Sequence, residues 1–376
     1  MNISNTLIKT IMVTLDAIIK ASGTDIRIHG AGSVPDQPVL YVINHFTRME
    51  TILMPYVIKK SIKKYPLSLA DSSFFGGKMG DLMDRLGGIS TANPNRDTLL
   101  INALLTDSNP VIIFPEGQMI KDKKIIEKGK YMVYNTGIRR PPHTGAGRIA
   151  LRSQFIREEL RLLRDRGDNS SITQIAQHFG FDPTDVDQIL QKQTYIVPVN
   201  ITYYPIRARN NAISKLVNYF INNIPARFEE EMQVEGSMII DGVDIDINFG
   251  QPISMKNYIT ASVEVKKMLA DNNLYLHPGE LKYVSPFKKL YIEIMYDYMD
   301  AIYSMTTVNH DHLFSYILTK YSRNKISEND FKNRVFLAIE NLRTSGITNC
   351  HTALDEKQFY LLTDDYQKRR TFQQKI

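Results

Sequence analysis

From residue 25 to residue 249 the chain alternates short apolar runs with longer stretches of helical periodicity, and this alternation limits the fold more than any other feature. The runs are Asp25–His29, Val39–Asn44, Leu67–Ala70, Val111–Phe114, Ile196–Thr202 and Asp244–Phe249. Most are unbroken apolar segments, the pattern of strands covered on both faces. Helical spacing fills the intervals near 48–63, 76–86, 96–107, 144–165 and 211–232. Such an order predicts an α/β fold: a mixed, largely parallel sheet flanked by helices, with a helical insertion and a helical C-terminal region. Open sheets of this kind place ligands at the carboxyl ends of strands. Two ends carry polar residues: Val39–Asn44 runs into His45, and Val111–Phe114 runs into Pro115, Glu116 and Gly117.

Changes of pattern divide the chain into residues 1–22, an amphipathic N-terminal helix; 23–254, the sheet-bearing domain; and 255–376, a helical C-terminal region. With 43% hydrophobic and 23% charged residues among 376, the chain can build a core, so disorder is not expected. The formal net charge of +6 favours anionic surfaces, whether phospholipid head groups, nucleic acid or phosphorylated small molecules, without choosing among them. The one cysteine, Cys350, cannot form an internal disulfide and points to a reducing compartment. No stretch reaches the roughly 18 uninterrupted apolar residues of a membrane span, because Lys9 and Asp16 break the nearest, residues 3–19. The start also lacks the basic residues and unbroken apolar centre of a signal peptide. Within it, Ile3, Leu7, Ile8, Ile11, Met12, Leu15, Ile18 and Ile19 recur at helical spacing. Such a stripe suits a bilayer interface or packing on the chain's own domain, and both readings stay open at this point.

Residues of about 156–194 read as an insertion: a charged stretch from Arg157 to Arg166, a polar turn, and two short helices around Gly180. The spacing of the last two resembles a helix-turn-helix. Asp182, Asp185 and Asp187 on its second part would repel phosphates, so a packing or partner-binding hairpin is expected and no nucleic acid. Beyond residue 255, Tyr and Lys are abundant (Lys282, Tyr283, Phe287, Lys288, Lys289, Tyr291), and a basic segment lies at Lys121, Lys123, Lys124, Lys128 and Lys130. His310-Asp311-His312 lacks a third or fourth ligand at a suitable spacing, so no metal is expected.

A histidine needs a carboxylate on one ring nitrogen if the other is to take a proton from a hydroxyl. In Asn44-His45-Phe46-Thr47-Arg48-Met49-Glu50 the His and Glu are five residues apart. At ~100° per residue they would not share a face of one continuous helix. They meet if His45 sits in the loop after the strand and Glu50 in the first turns of the next helix. Phe114-Pro115-Glu116-Gly117 places a carboxylate at another strand end, before a Gly that lets a ligand approach. Each piece alone is a common coincidence.

Taken in order, these pieces resemble the glycerophospholipid acyltransferase family. The likeness starts at Asp25-Ile26-Arg27-Ile28-His29-Gly30 with Val34-Pro35, and continues through Asn44-His45 with an acid at the HxxxxD position, then Phe114-Pro115-Glu116-Gly117. Ile196-Val197-Pro198-Val199 and Phe249-Gly250-Gln251-Pro252-Ile253 are similar to later segments, so the likeness covers about residues 24–254. A weaker likeness, at Thr306-Thr307-Val308-Asn309, is to the longer glycerol-3-phosphate acyltransferases. The resemblance implies transfer of a fatty acyl group from acyl-CoA or acyl-carrier protein to a glycerol-phosphate or lysophospholipid hydroxyl. It implies His45 as general base, Glu50 as its partner, Glu116 and Gly117 at the acceptor, and Arg96 on the acceptor's phosphate. No resident cofactor is implied; the thioester is a co-substrate, and acyl-carrier protein is among the implied partners. The expected location is cytoplasmic, peripheral on the inner face of a membrane, against an anionic surface.

Three departures stand out. Position 50 is Glu where the family usually has Asp. Arg96 lies farther from Gly87-Gly88 than the second motif's arginine usually does. Gln118-Met119 follows Gly117 where the family often has Thr-Arg or Ser-Arg. These departures leave a second reading, a non-catalytic lipid- or partner-binding relative.

Overall fold

The structure, a computed structural model, describes residues 3–119, 125–135, 138–204, 243–270, 285–322, 325–347 and 349–354. The helix expected near 211–232, Lys121, Lys123, Lys124, Lys282 and Tyr283 lie outside the described residues. The first half of the chain runs α1 (Asn5–Ser22), β1 (Ile26–His29), β2 (Val39–Ile43), α2 (Glu50–Ile62), β3 (Leu67–Ala70), α3 (Gly77–Arg85), β4 (Gly88–Ser90), α4 (Arg96–Thr106) and β5 (Val111–Ile113). Two short hairpins follow, β6 (Ile126–Glu127) with β7 (Lys130–Tyr131), and β8 (Val133–Asn135) with β9 (Ile138–Arg140). Then come α5 (Gly145–Arg166), α6 (Asn169–Phe179), α7 (Val186–Leu190), β10 (Tyr195–Tyr204), β11 (Asp244–Phe249) and β12 (Ile253–Ser254). The helices α8 (Met255–Ala261), α9 (Val263–Ala270), α10 (Ser285–Ser304), α11 (His310–Lys320) and α12 (Glu328–Thr344) complete the described chain.

The main sheet has the order β1-β11-β10-β2-β5-β3-β4, with β12 beside β10. From β10 to β4 the strands are parallel; β11 runs against β10, and β1 runs with β11. The fold is thus α/β with a mixed, largely parallel sheet, as the alternation predicts. All five residues of β2 are buried. Leu40 and Val42 face one core with α4, α5 and α10, while Val39, Tyr41 and Ile43 face the other with α1 and α2. Successive side chains point to opposite faces, so a strand between two helical layers must be apolar throughout.

The apolar stripe of α1 goes to the protein's own core. Ile8 and Leu15 are buried, and Ile11, Met12, Ile18 and Ile19 pack against the cluster of the α2 face. Asp16, on the polar side, accepts a hydrogen bond from Tyr56 of α2 at 2.5 Å and pairs with Lys60 at 2.7 Å. Of the two readings left open by the sequence, packing is the one observed. No described helix is long and apolar enough to cross a membrane.

The expected insertion is continuous with the domain. Arg157 lies within α5 and is fully buried, donating to the last carbonyls of α4 (Leu104 at 2.9 Å, Leu105 at 3.3 Å) and to Ile189 at the end of α7 (2.9 Å). A cation there satisfies carbonyls that helix ends leave bare. Burial lowers its pKa to about 10, which still leaves it charged at neutral pH. Ile172, Ala176, Phe179, Val186 and Ile189 share the core of α4 and α5. So does α10, through Phe287, Tyr291, Ile294, Tyr298 and Ile302. Only a short side chain fits at Gly147 of α5, where an added Cβ would stand 3.1 Å from Ile294 Cγ2. By contrast, α11 and α12 build a small cluster of their own around Leu313, Ile317, Val335 and Ile339.

Candidate active site

β2 and β5 are parallel neighbours, with Val42 opposite Ile113. Their carboxyl ends therefore open side by side, and the segments after them meet. Asn44 fixes the first segment. Its side-chain amide donates to Ile201 O at 2.9 Å and its carbonyl accepts from Ile201 N at 2.8 Å, extending the pairing of β2 with β10 by one side chain. His45 follows in the loop, and Glu50 opens α2. His45 Nδ1 lies 2.7 Å from Glu50 Oε2. This is the loop-to-first-turn meeting that the spacing requires, and the longer glutamate makes it.

Glu50 is fully buried, so its charge needs partners. The backbone N–H groups of Phe46 (3.2 Å) and Thr47 (3.0 Å) and the Tyr203 hydroxyl (3.1 Å) all donate to it. Held this way, the carboxylate fixes the plane of the imidazole and favours a proton on Nδ1, which leaves Nε2 as the proton acceptor. The other face of the ring stacks on Phe114, with centroids 4.4 Å apart.

Glu116 is also fully buried, two residues beyond Phe114. The Tyr303 hydroxyl, on α10, donates to its Oε1 at 2.8 Å; Oε2 is buried with no hydrogen-bond partner among the described residues. Burial pushes the carboxyl pKa up to about 7, opposed by the Tyr303 hydrogen bond and by the charge of His45 and reinforced by that of Glu50. His45, Glu50 and Glu116 thus form one electrostatic group. Gly117 has φ +70, and an added Cβ would come 2.5 Å from the His143 ring, so both conformation and space call for glycine. Arg140 Nη2 donates to the Glu116 carbonyl at 2.9 Å. His143 donates its backbone N–H to Pro115 O at 2.8 Å, and its ring pKa is lowered by burial and by the charges of Arg140 and Arg96.

The structure therefore brings together His45, Glu50, Glu116 and Gly117. Arg96 begins α4 farther along the sheet; its guanidinium donates to Thr91 O and lies 3.4 Å from Asp97, and its charge reaches the site by way of His143. Gln118 turns toward the β8–β9 hairpin, donating to Tyr134 O at 2.8 Å. Among the described residues the cation beside Gly117 is Arg140, from a hairpin the alternation of runs did not signal. Tyr203, Tyr303, Arg140 and His143 also escaped the sequence reading, because nothing local marks a residue that joins the site from 153 or 187 positions away, as the tyrosines do, or across a hairpin, as Arg140 and His143 do. Among the described residues no three His, Cys, Asp or Glu side chains group to hold a metal. His310 and His312 are engaged instead with the Tyr204 hydroxyl and the Asn309 N–H.

No curated protein matches the chain. Among solved structures, the 1-acyl-sn-glycerophosphate (LPA) acyltransferase PlsC from Thermotoga maritima is similar at 13% identity and a TM-score of 0.35, over 74% of this chain and 80% of that one. That likeness is loose and carries no weight here. The family model described as Acyltransferase matches residues 25–202. The matched residues run from the approach to β1 into β10 and take in both strand-end segments, and over this segment the chain is similar to that family.

Proposed function

We propose that this protein transfers a fatty acyl group from acyl-CoA or acyl-carrier protein to a hydroxyl of a glycerol-phosphate or lysophospholipid acceptor. The observation that carries the proposal is the His45–Glu50 pair, at 2.7 Å, set beside Glu116 at the ends of two adjacent parallel strands. In this mechanism His45 Nε2 takes the proton of the acceptor hydroxyl as its oxygen attacks the thioester carbonyl. The tetrahedral intermediate collapses with loss of the thiolate, which the imidazolium reprotonates, so ester and free thiol leave and the ring returns neutral. Glu50 stabilises the transient positive charge. Glu116 and Gly117 hold the acceptor near Nε2, with Arg96 and Arg140 supplying positive charge for its phosphate. No side chain becomes acylated.

A long-chain acceptor resides in a bilayer, so the protein works as a peripheral protein on an anionic surface, on the cytoplasmic face. The net charge of +6 supports this. The α1 stripe does not, since its apolar side is already covered. The test is acyl transfer from labelled acyl-CoA and acyl-carrier protein to an acceptor panel, in parallel with flotation on vesicles with and without anionic lipid. His45→Ala is expected to lower the rate by about 10²–10⁴-fold while the protein stays folded. Equal rates would end this account of the site, and flotation indifferent to anionic lipid would end the surface assignment.

A further inference from the structure

Tyr303 lies a hundred residues beyond the family-matched segment, yet it provides the only side-chain hydrogen bond to the Glu116 carboxylate among the described residues. Its ring stacks against Tyr131, whose hydroxyl donates to Asp300 on the same face of α10. Five residues earlier on α10, Tyr298 donates to the His143 carbonyl at 2.8 Å, and His143 in turn holds Pro115. Two tyrosines of one helix thus grip the Phe114–Gly117 turn, one through its backbone neighbour and one through the carboxylate.

We propose that Tyr303 is a positioning residue for the acceptor, clamping Oε1 of Glu116 so that the unbonded Oε2 faces the acceptor hydroxyls. The inference rests on the acyl-transfer reading above. A buried carboxylate with one oxygen engaged and the other bare has a single direction in which to accept a hydrogen bond, and an acceptor's free hydroxyl supplies the missing donor. Without the clamp, the carboxyl group rotates about its last bond and its charged form loses a donor. The groups that bear on Glu116 are His45 and Glu50 from the first segment, Tyr298 and Tyr303 from α10, Arg140 from the β8–β9 hairpin and His143 from just after it.

The test compares wild type, Tyr303→Phe and Tyr258→Phe. Tyr258 on α8 donates to Asp297 of α10, so its loss loosens the same helix without touching Glu116. The Glu116 carboxyl is titrated by NMR of protein carrying carbon-13 in its glutamate side chains, its signal identified by its absence in Glu116→Gln. Tyr303→Phe is expected to raise the titration midpoint by about one unit and the acceptor KM about tenfold, with a smaller fall in kcat. Tyr258→Phe leaves both at the wild-type value. An unmoved midpoint in Tyr303→Phe, an unmoved acceptor KM, or equal shifts in both variants would overturn the proposal. A wild-type chain inactive on every acceptor sinks the acyl-transfer reading instead, and the titration still decides whether Tyr303 governs Glu116.

Discussion

His45 and His351 each lie against a carboxylate, and their surroundings give them different work. His45 meets Glu50 at 2.7 Å at the carboxyl end of β2. His351 meets Asp244 at 3.0 Å on the outer strands of the sheet. Glu50 is buried and bound by neutral donors, so its charge is directed to the imidazole. Asp244 is shared: Arg27 bonds it at 3.1 Å, pairs with Asp246 at 3.1 Å, and touches the same nitrogen of His351. The backbone N–H of His351 is also held, by Val308 O at 2.8 Å. One pair holds the proposed base, its second ring nitrogen left for the acceptor; the other is a clasp that fastens the turn after α12 to β1 and β11. The residue types match, and what decides between chemistry and architecture is how many other groups claim the carboxylate.

The sharpest way to break this contrast is to neutralise both acids in parallel. Glu50→Gln is expected to lower acyl transfer by about 10²-fold or more, and Asp244→Asn to leave it within about twofold while lowering the melting temperature. Similar losses of rate in the two would erase the distinction. A second measurement concerns the cost of the site. Glu116 is raised from an ordinary carboxyl value to about 7, so below about 4.5 both states hold the proton and its burial costs nothing. As pH rises through 7 the folded chain must carry a buried charge and loses stability. Glu116→Gln is therefore expected to be more stable than wild type at pH 8 by the order of 2–3 kcal/mol, with little gap at pH 4.5, as read from denaturant midpoints. A gap that ignores pH would remove the electrostatic account.

The smallest effect belongs to the clasp. Burial and the charge of Arg27 lower the pKa of His351, and burial followed by the charge of His351 pushes His310 down to about 4. In the unfolded chain both bind protons near 6.5, so the stability they give is complete above that value and is lost as pH falls below it. Amide exchange in α11 and α12, corrected for intrinsic rates, should show weaker protection at pH 5.5 than at 7.5 by about 1–2 kcal/mol. Protection unchanged by pH would show that the two rings do not hold this hairpin.

The sequence was most readable where structure is local. Strands buried on both faces must be apolar throughout, which is why Val39–Ile43 and Val111–Ile113 fall at the expected positions. His45, Glu50 and Glu116 were legible because each directly follows such a strand or opens the next helix. The α1 stripe was only half legible, since periodicity reveals a face and not what covers it. Arg157 read as part of a charged stretch, yet its guanidinium bonds carbonyls of α4 and α7 and the Thr194 hydroxyl, three segments that only the fold assembles. The clasp was hidden for the same reason: Arg27 and His351 are 324 positions apart.

The seating of α10 against α5 at Gly147 has a consequence for how the protein comes into being. A ribosome that has finished the family-matched segment has yet to make the helix that covers one core face and reaches Glu116. The nascent chain thus carries its histidine and glutamates early, but they sit beside bare apolar surface until roughly a hundred further residues have emerged. Competence for the proposed reaction is then a late event in synthesis, and a message cut short in that interval yields a chain with an exposed core rather than a smaller enzyme.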